Sequence, residues 1–185
     1  MKKTIETSRL VLRRFNLDDA ADLYEYLAEP TINCFQDMKI HSMQEAENVI
    51  RERIDNVKSE IYLAICLKDT GKAIGEIFAC TDEREKDTIS PCWMLNAKFQ
   101  KQGYAYEAVA AFFDFLFNEN SVRRIYIYTE DYNTPCQKLC EKLGMRREGL
   151  FMEFVSFVNN SDGTPKYENT YQYAILKKEW LKNRT

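Results

Sequence analysis

The chain has 185 residues, a formal net charge of −3, and 45% hydrophobic and 30% charged residues. That is the balance of a globular chain, and one this long buries roughly 70% of its unfolded surface on folding. A mildly acidic balance excludes general nucleic-acid binding, which needs clustered Lys and Arg against phosphate. No apolar run approaches the ~20 residues of a membrane span, and the opening residues are polar rather than signal-like. Six cysteines without a CxxC pair, beside a single histidine, give no zinc pattern. The expectation is one domain over residues 1–185, cytoplasmic, with reduced thiols and no metal.

Arg9 to Phe15 is short, apolar and partly alternating, and reads as a strand. Asn16-Leu17-Asp18-Asp19 offers a cap and acidic first-turn residues for a helix to about Leu27, closed by Glu29-Pro30. Thr31 to His41 is irregular. Ser42-Met43-Gln44-Glu45 is a capping box, and a second helix follows to about Lys58. Ile61–Leu67 and Ala73–Cys80 are apolar runs joined by a turn at Asp69 and Gly71, hence a hairpin. Ile89 to Leu95 is a further strand, with Pro91 implying a kink, bulge or exposed edge.

Tyr104 to Asn118 carries apolar residues at helical spacing. Arg124–Thr129 reads as a strand, and Thr134–Leu143 as a helix stopped by Gly144. Phe151–Val158 and Tyr171–Leu176 are strands flanking the turn that starts at Asn159 and ends at Pro165. The order β-α-α-β-β-β-α-β-α-β-β predicts a mixed α/β (α+β) sheet covered by helices.

Chemistry concentrates in Trp93 to Ala108. A strand ends near Leu95, a polar loop follows, and a helix opens at about Gly103. A helix start exposes unpaired N–H groups and the positive end of its dipole, a natural phosphate site. Gly103 lets a bulky group reach the backbone, and Ala105 keeps the surface low.

In this setting Gln100-x-x-Gly103-x-Ala105 resembles the acetyl-CoA motif of the GNAT acetyltransferase superfamily. Three more stretches resemble its RimJ/RimL-like branch in the right order: Thr7-Ser8-Arg9-Leu10-Val11-Leu12-Arg13, then Asn133 through Cys136 and Glu141-Lys142-Leu143-Gly144-Met145, then Tyr173–Leu176 with Glu179-Trp180. The resemblance implies a mostly antiparallel central sheet of six to seven strands flanked by helices, with a splayed strand pair that takes acetyl-CoA. It also implies N-acetyl transfer to a primary amine by direct attack in a ternary complex, the acceptor being a protein N-terminal α-amine or a small-molecule amine. A non-catalytic acetyl-CoA sensor on the same fold is the alternative, and the chain is a monomer or homodimer.

Carried onto this chain, the free strand edge at Trp93, Met94 and Leu95 pairs with the pantetheine arm. Lys101, Gln102, Gly103, Tyr104, Ala105 and Tyr106 hold the pyrophosphate, and Lys98 and Lys101 add positive charge. Asn133 contacts the cofactor arm, or else caps a helix. The family often places a Tyr seven residues beyond this Asn to protonate the departing thiolate; here Cys140 stands there. Cys136, where the branch often has Ser, shares its helix face. Either thiol donates that proton, or both are small buried hydrophobes and water protonates the thiolate. Glu76 is the resemblance's candidate base, the alternative being a solvated outward residue. Glu130 and Glu153 are weaker candidates, and His41 is read as a surface residue. The loops Thr31–His41 and Asn159–Lys166 are expected to choose the acceptor.

Overall fold

The computed structural model describes residues 4–55, 61–82, 84–119 and 121–183. Its elements are β1 (Ile5–Glu6), β2 (Leu10–Arg13), α1 (Ala20–Leu27), α2 (Met43–Asp55), β3 (Ile61–Leu67), β4 (Ala73–Thr81) and β5 (Thr88–Leu95). Then follow α3 (Tyr104–Glu119), β6 (Arg124–Glu130), α4 (Thr134–Lys142), β7 (Arg146–Asn159), β8 (Pro165–Leu176) and α5 (Lys177–Lys182).

Helix starts lie where capping chemistry put them. The Asn16 side chain accepts from the Asp18 N–H at 2.9 Å, and the Asp19 carboxylate accepts from the Asn16 N–H at 2.8 Å. Ser42 Oγ accepts from the Glu45 N–H at 3.2 Å, while the Glu45 carboxylate reaches back to the His41 N–H at 2.6 Å. A 3-10 turn, Leu17–Asp19, precedes α1, and the irregular stretch after Pro30 contains a 3-10 segment, Asn33–Met38. The expected end of the second helix near Lys58 lies outside the described residues.

The strands form one sheet in the order β1-β2-β3-β4-β5-β6-β8-β7. Among the described residues it has eight strands rather than six or seven, because Ile5–Glu6 pairs with Val11–Leu12. All pairings are antiparallel except β5–β6. Strands β7 and β8 extend well beyond the expected segments, because their polar ends pair with each other in a long hairpin. The chain places β8 between β6 and β7.

Two apolar layers cover the sheet. On one face α3 packs Val109, Phe112, Phe113, Leu116 and Phe117 against Ile77, Ile125, Ile127 and Ile175. On the other, α1 and α2 pack Leu23, Leu27, Ala46 and Ile50 against Ala64, Cys66 and Met94. No helix among the described residues is long and apolar enough to cross a membrane.

Candidate active site

Pairing between β5 and β6 covers only Thr88–Arg124 and Ile89–Ile125, after which the two parallel strands part. Strand β5 stays paired with β4 through Leu95. Asn96 donates its N–H to the Ile74 carbonyl of β4 at 2.8 Å. Peptide groups alternate along a strand, so the backbone N–H groups of Trp93 and Leu95 face the opened side. Pro91 has the same parity. Its ring nitrogen therefore meets the gap rather than the β4 ladder, which explains why a proline sits in a central strand without a bulge in the β4 pairing. Beyond Ile89 the β5 edge that includes Trp93 and Leu95 has no pairing with β6. The Met94 side chain turns the other way, into the α1–α2 layer.

The β5 strand leads into a loop held by two of its own glutamine side chains. Gln100 Nε2 donates to the Leu95 carbonyl at 3.2 Å, and Gln102 Nε2 to that of Lys98 at 3.0 Å. Lys101 and Gly103 have φ of 60° and 86°. The first α3 ladder bond runs from the Glu107 N–H to Gly103 O at 3.1 Å, so the N–H groups of Tyr104, Ala105 and Tyr106 precede the ladder. Lys101, Gln102 and Gly103 are exposed. Unpaired N–H groups at a helix start are a general anion-binding arrangement.

Two residues outside the motif brace the loop. The Arg9 guanidinium donates to Gln102 O at 3.1 Å and lies over the Tyr104 ring, 4.3 Å from its centroid. Glu107, in the first turn of α3, accepts from Thr7 Oγ1 at 2.7 Å, the Arg9 N–H at 2.8 Å and Arg9 Nε at 2.7 Å. Burial raises the Glu107 carboxyl, but these donors outweigh it and hold the group at about 2. Lys98 Nζ pairs with Glu25 of α1 at 2.6 Å.

On the far side of the opening, α4 starts at Asn133. Asn133 Oδ1 accepts from the Cys136 N–H at 3.3 Å and its Nδ2 donates to the Glu130 carboxylate at 3.3 Å, so the capping reading describes its bonds. Cys136 is half-buried in the first turn of α4, whereas Cys140 lies wholly within the α3-side core. The Cys140 thiol, hydrogen-bonded to Cys136, makes Cys136 more acidic than an ordinary thiol, against the opposing effect of burial. Cys140 is itself pushed far up, first by this bond and then by burial.

Glu76 sits on β4 opposite Met94 with 0% exposure, which overturns the solvated reading. Its carboxylate takes both arms of the Arg53 guanidinium, the Tyr26 hydroxyl at 3.1 Å and the Tyr62 hydroxyl at 3.0 Å. Burial raises its pKa, and Arg53, Tyr62 and Tyr26 oppose that. None of these three partners was singled out in the sequence. Arg53 had a signal: it continues the apolar stripe of Ala46 and Ile50 along α2.

Glu130 closes β6 beside Asn133, and Glu168 lies on β8, each nearly fully buried. His41 is exposed, as expected, and Glu153 is an exposed residue at φ 48° in the β7–β8 hairpin. Among the described residues no group of three or more His, Cys, Asp or Glu could hold a metal ion.

Comparisons with known proteins agree with this geometry. A family model described as "Acetyltransferase (GNAT) domain" matches residues 9–146. The chain is 29% identical over 177 residues to the uncharacterized N-acetyltransferase YnaD of Bacillus subtilis (strain 168), covering 95% of this chain and 98% of that one. A GNAT-family acetyltransferase structure from Bacillus anthracis superposes with a TM-score of 0.83 at 26% identity, covering 96% of this chain and all of that one. The fold is also shared with RimL, a ribosomal L7/L12 α-N-protein acetyltransferase in complex with coenzyme A, with a TM-score of 0.75 at 14% identity over 94% and 98% of the two chains. With its strands parted beside a phosphate-ready helix start, and with this match over most of its length, the chain belongs to the GNAT family of acetyltransferases, enzymes that use acetyl-CoA.

Proposed function

We propose that this acyltransferase is a RimJ/RimL-like N-acetyltransferase that moves the acetyl group of acetyl-CoA to a primary amine by direct attack within a ternary complex. The observation that carries the reading is the parting of β5 from β6 after Ile89, which opens onto the Lys101–Tyr106 loop. The residues fit the cosubstrate: a free strand edge for an amide-bearing arm, and three N–H groups ahead of the α3 ladder for phosphate.

Acetyl-CoA supplies the acetyl group as a thioester. Trp93 and Leu95 hold the arm through their backbone, and the Leu95 N–H donates to the oxyanion that develops as the amine attacks. Holding both substrates in one cleft supplies much of the acceleration. Cys136 gives its proton to the departing thiolate and regains one from water before the next turnover, and Cys140 tunes it through the hydrogen bond between them. Asn133 holds the turn that presents Cys136 and contacts the cofactor arm.

Glu76 acts as a fixed charge. With four hydrogen bonds from Arg53, Tyr26 and Tyr62 on its two oxygens, its lone pairs are already engaged. The proton released by the amine passes to water. The acceptor reacts as its free base, whose share at pH 7.5 is roughly a quarter for an α-amine with pKa near 8 and about a thousandth for an alkyl amine as basic as a Lys side chain, so an alkyl acceptor relies on being held in place.

Thermal unfolding with acetyl-CoA, CoA and ATP tests the reading. A ligand at 100 times its dissociation constant stabilises by about 2.7 kcal/mol, a rise of about 5–10 °C for a chain of this size. The rise is expected with acetyl-CoA and with CoA, not with ATP, and should shrink in Gly103→Glu. No rise at saturating acetyl-CoA would overturn the proposal. A rise without release of CoA thiol across a panel of amines would instead select the non-catalytic sensor.

A further inference from the structure

Glu130 and Glu168 are 4% and 5% exposed, yet every hydrogen bond recorded to their side chains comes from a neutral group. Glu168 accepts from Asn33 Nδ2 and from the Tyr132 hydroxyl at 3.3 Å. Glu130 accepts from Asn133 Nδ2 at 3.3 Å and from the Cys34 thiol. Among the described residues no Lys or Arg forms an ion pair with either. Glu76 shows the contrast, a buried carboxylate matched by its own arginine.

The register brings the two acids together. Glu130 on β6 is the cross-strand partner of Thr170 on β8, and Glu168 stands two residues from Thr170 on the same face. Diagonal positions of this kind are about 7–8 Å apart at the backbone, so the two side chains can meet one small group between them. Tyr132 feels both charges, after the larger effect of burial on its hydroxyl.

Thr170 supplies an independent observation. Its side chain is 3% exposed, and its Oγ1 makes no hydrogen bond although it stands between the two acids. A buried hydroxyl without a partner costs stability, and so do two buried carboxylates without a cation. One occupant answers both: an ammonium, which offers up to three N–H donors and a positive charge.

We propose that Glu130, Thr170 and Glu168 form a subsite for the second, protonated nitrogen of a small aliphatic diamine acceptor. The proposal rests on the acetyltransferase function above and names its substrate class. The subsite adjoins the reaction centre, since Glu130 bonds to Asn133, which caps the helix turn carrying Cys136. The first nitrogen reacts at the opening between the strands while the second stays charged between the acids. The 3-10 segment that contributes Asn33 and Cys34 covers the subsite, so a slender alkyl chain suits it better than a protein surface.

Isothermal titration of the full chain, saturated with CoA at pH 7, compares 1,4-diaminobutane with 1-aminobutane. The diamine is expected to bind at least tenfold tighter. Glu168→Gln should reduce that advantage to less than threefold while keeping the acetyl-CoA rise in unfolding temperature. Thr170→Val, close to isosteric, should weaken the diamine severalfold. Its unfolding temperature should not fall, which keeps the test readable if Glu168→Gln folds poorly. Equal affinities, or no diamine binding to a protein that retains its acetyl-CoA rise, would overturn the subsite. Loss of the acetyl-CoA rise in the unaltered chain would overturn the acetyltransferase reading instead, and diamine titration without CoA would then judge the subsite alone.

Discussion

The two sides of the cleft are built from different material. The side proposed for the cofactor consists of backbone: the β5 edge at Trp93 and Leu95, the Lys101–Gly103 turn and the first peptide groups of α3, nearly all within one stretch of sequence. The side proposed for the acceptor consists of buried charged side chains drawn from distant elements: Glu76 from β4, Arg53 from α2, Glu130 from β6 and Glu168 from β8. A backbone site depends on local conformation and tolerates many side chains. A side-chain site depends on desolvated charges and fails when one partner is removed.

The largest effect should therefore come from unpairing a charge on the acceptor side. Arg53→Met leaves Glu76 buried without its cation, and breaking such a pair costs about 3–5 kcal/mol. Adding Glu76→Gln should recover at least half of that loss, since the amide keeps its contacts with Tyr26 and Tyr62 without a charge. Urea unfolding of the two variants measures this. The acetyl-CoA rise in unfolding temperature should persist in both, because the β5 edge and the loop are untouched. If that rise disappeared with Arg53, the two sides would not be separable.

Gly75 is where the two sides share a wall. A Cβ placed there would sit 2.2 Å from the Met94 carbonyl oxygen and 3.0 Å from Leu95 Cα. Neither is the end of a flexible side chain, so Gly75→Ala must push the end of β5 away from β4. The expected cost is about 1–3 kcal/mol. Displacing the Leu95 N–H should also lower kcat roughly tenfold to a hundredfold. Stability from urea unfolding and turnover from CoA release measure the two effects separately. A stability loss without a fall in kcat would remove Leu95 from the proposed oxyanion contact.

The same contrast explains what the sequence could show. Element types and order were legible, because capping residues at Asn16 and Ser42, the apolar spacing of α3 and the stop at Gly144 are local physical requirements. The turn ahead of α3, proposed for the cofactor, was legible for the same reason: Gly103 marks a positive φ in the sequence itself. The pair Ile5–Glu6 was too short for periodicity to register, and β8 entering between β6 and β7 is a long-range choice. The acceptor side was mostly hidden. Nothing local says that Glu130 and Glu168 flank Thr170, and Glu76 reads from its neighbours as a solvated strand residue. An Arg on an apolar helix stripe was the one available hint, at Arg53.

The smallest expected effect sharpens the comparison from the cofactor side, where one charged group does matter. Glu107 ties the β1–β2 turn to the start of α3, and its folded carboxyl is held at about 2 against an ordinary 4.5. A folded value below the unfolded one means the unfolded chain binds the proton more readily. The contribution of Glu107 to stability is therefore complete above about pH 4.5 and is lost as pH falls toward 2. Glu107→Gln cannot titrate, so the stability difference between it and the unaltered chain should be largest at neutral pH and narrow through that window. Arg9 is partly exposed, so solvent screening keeps this difference small. Urea midpoints at pH 6, 4 and 3 read it out. Because Arg9 also holds the Gln102 carbonyl, the variant should bind acetyl-CoA a few-fold more weakly at neutral pH. A difference independent of pH would mean that Glu107 braces the loop through shape alone, and the cofactor side would then be a backbone site without exception.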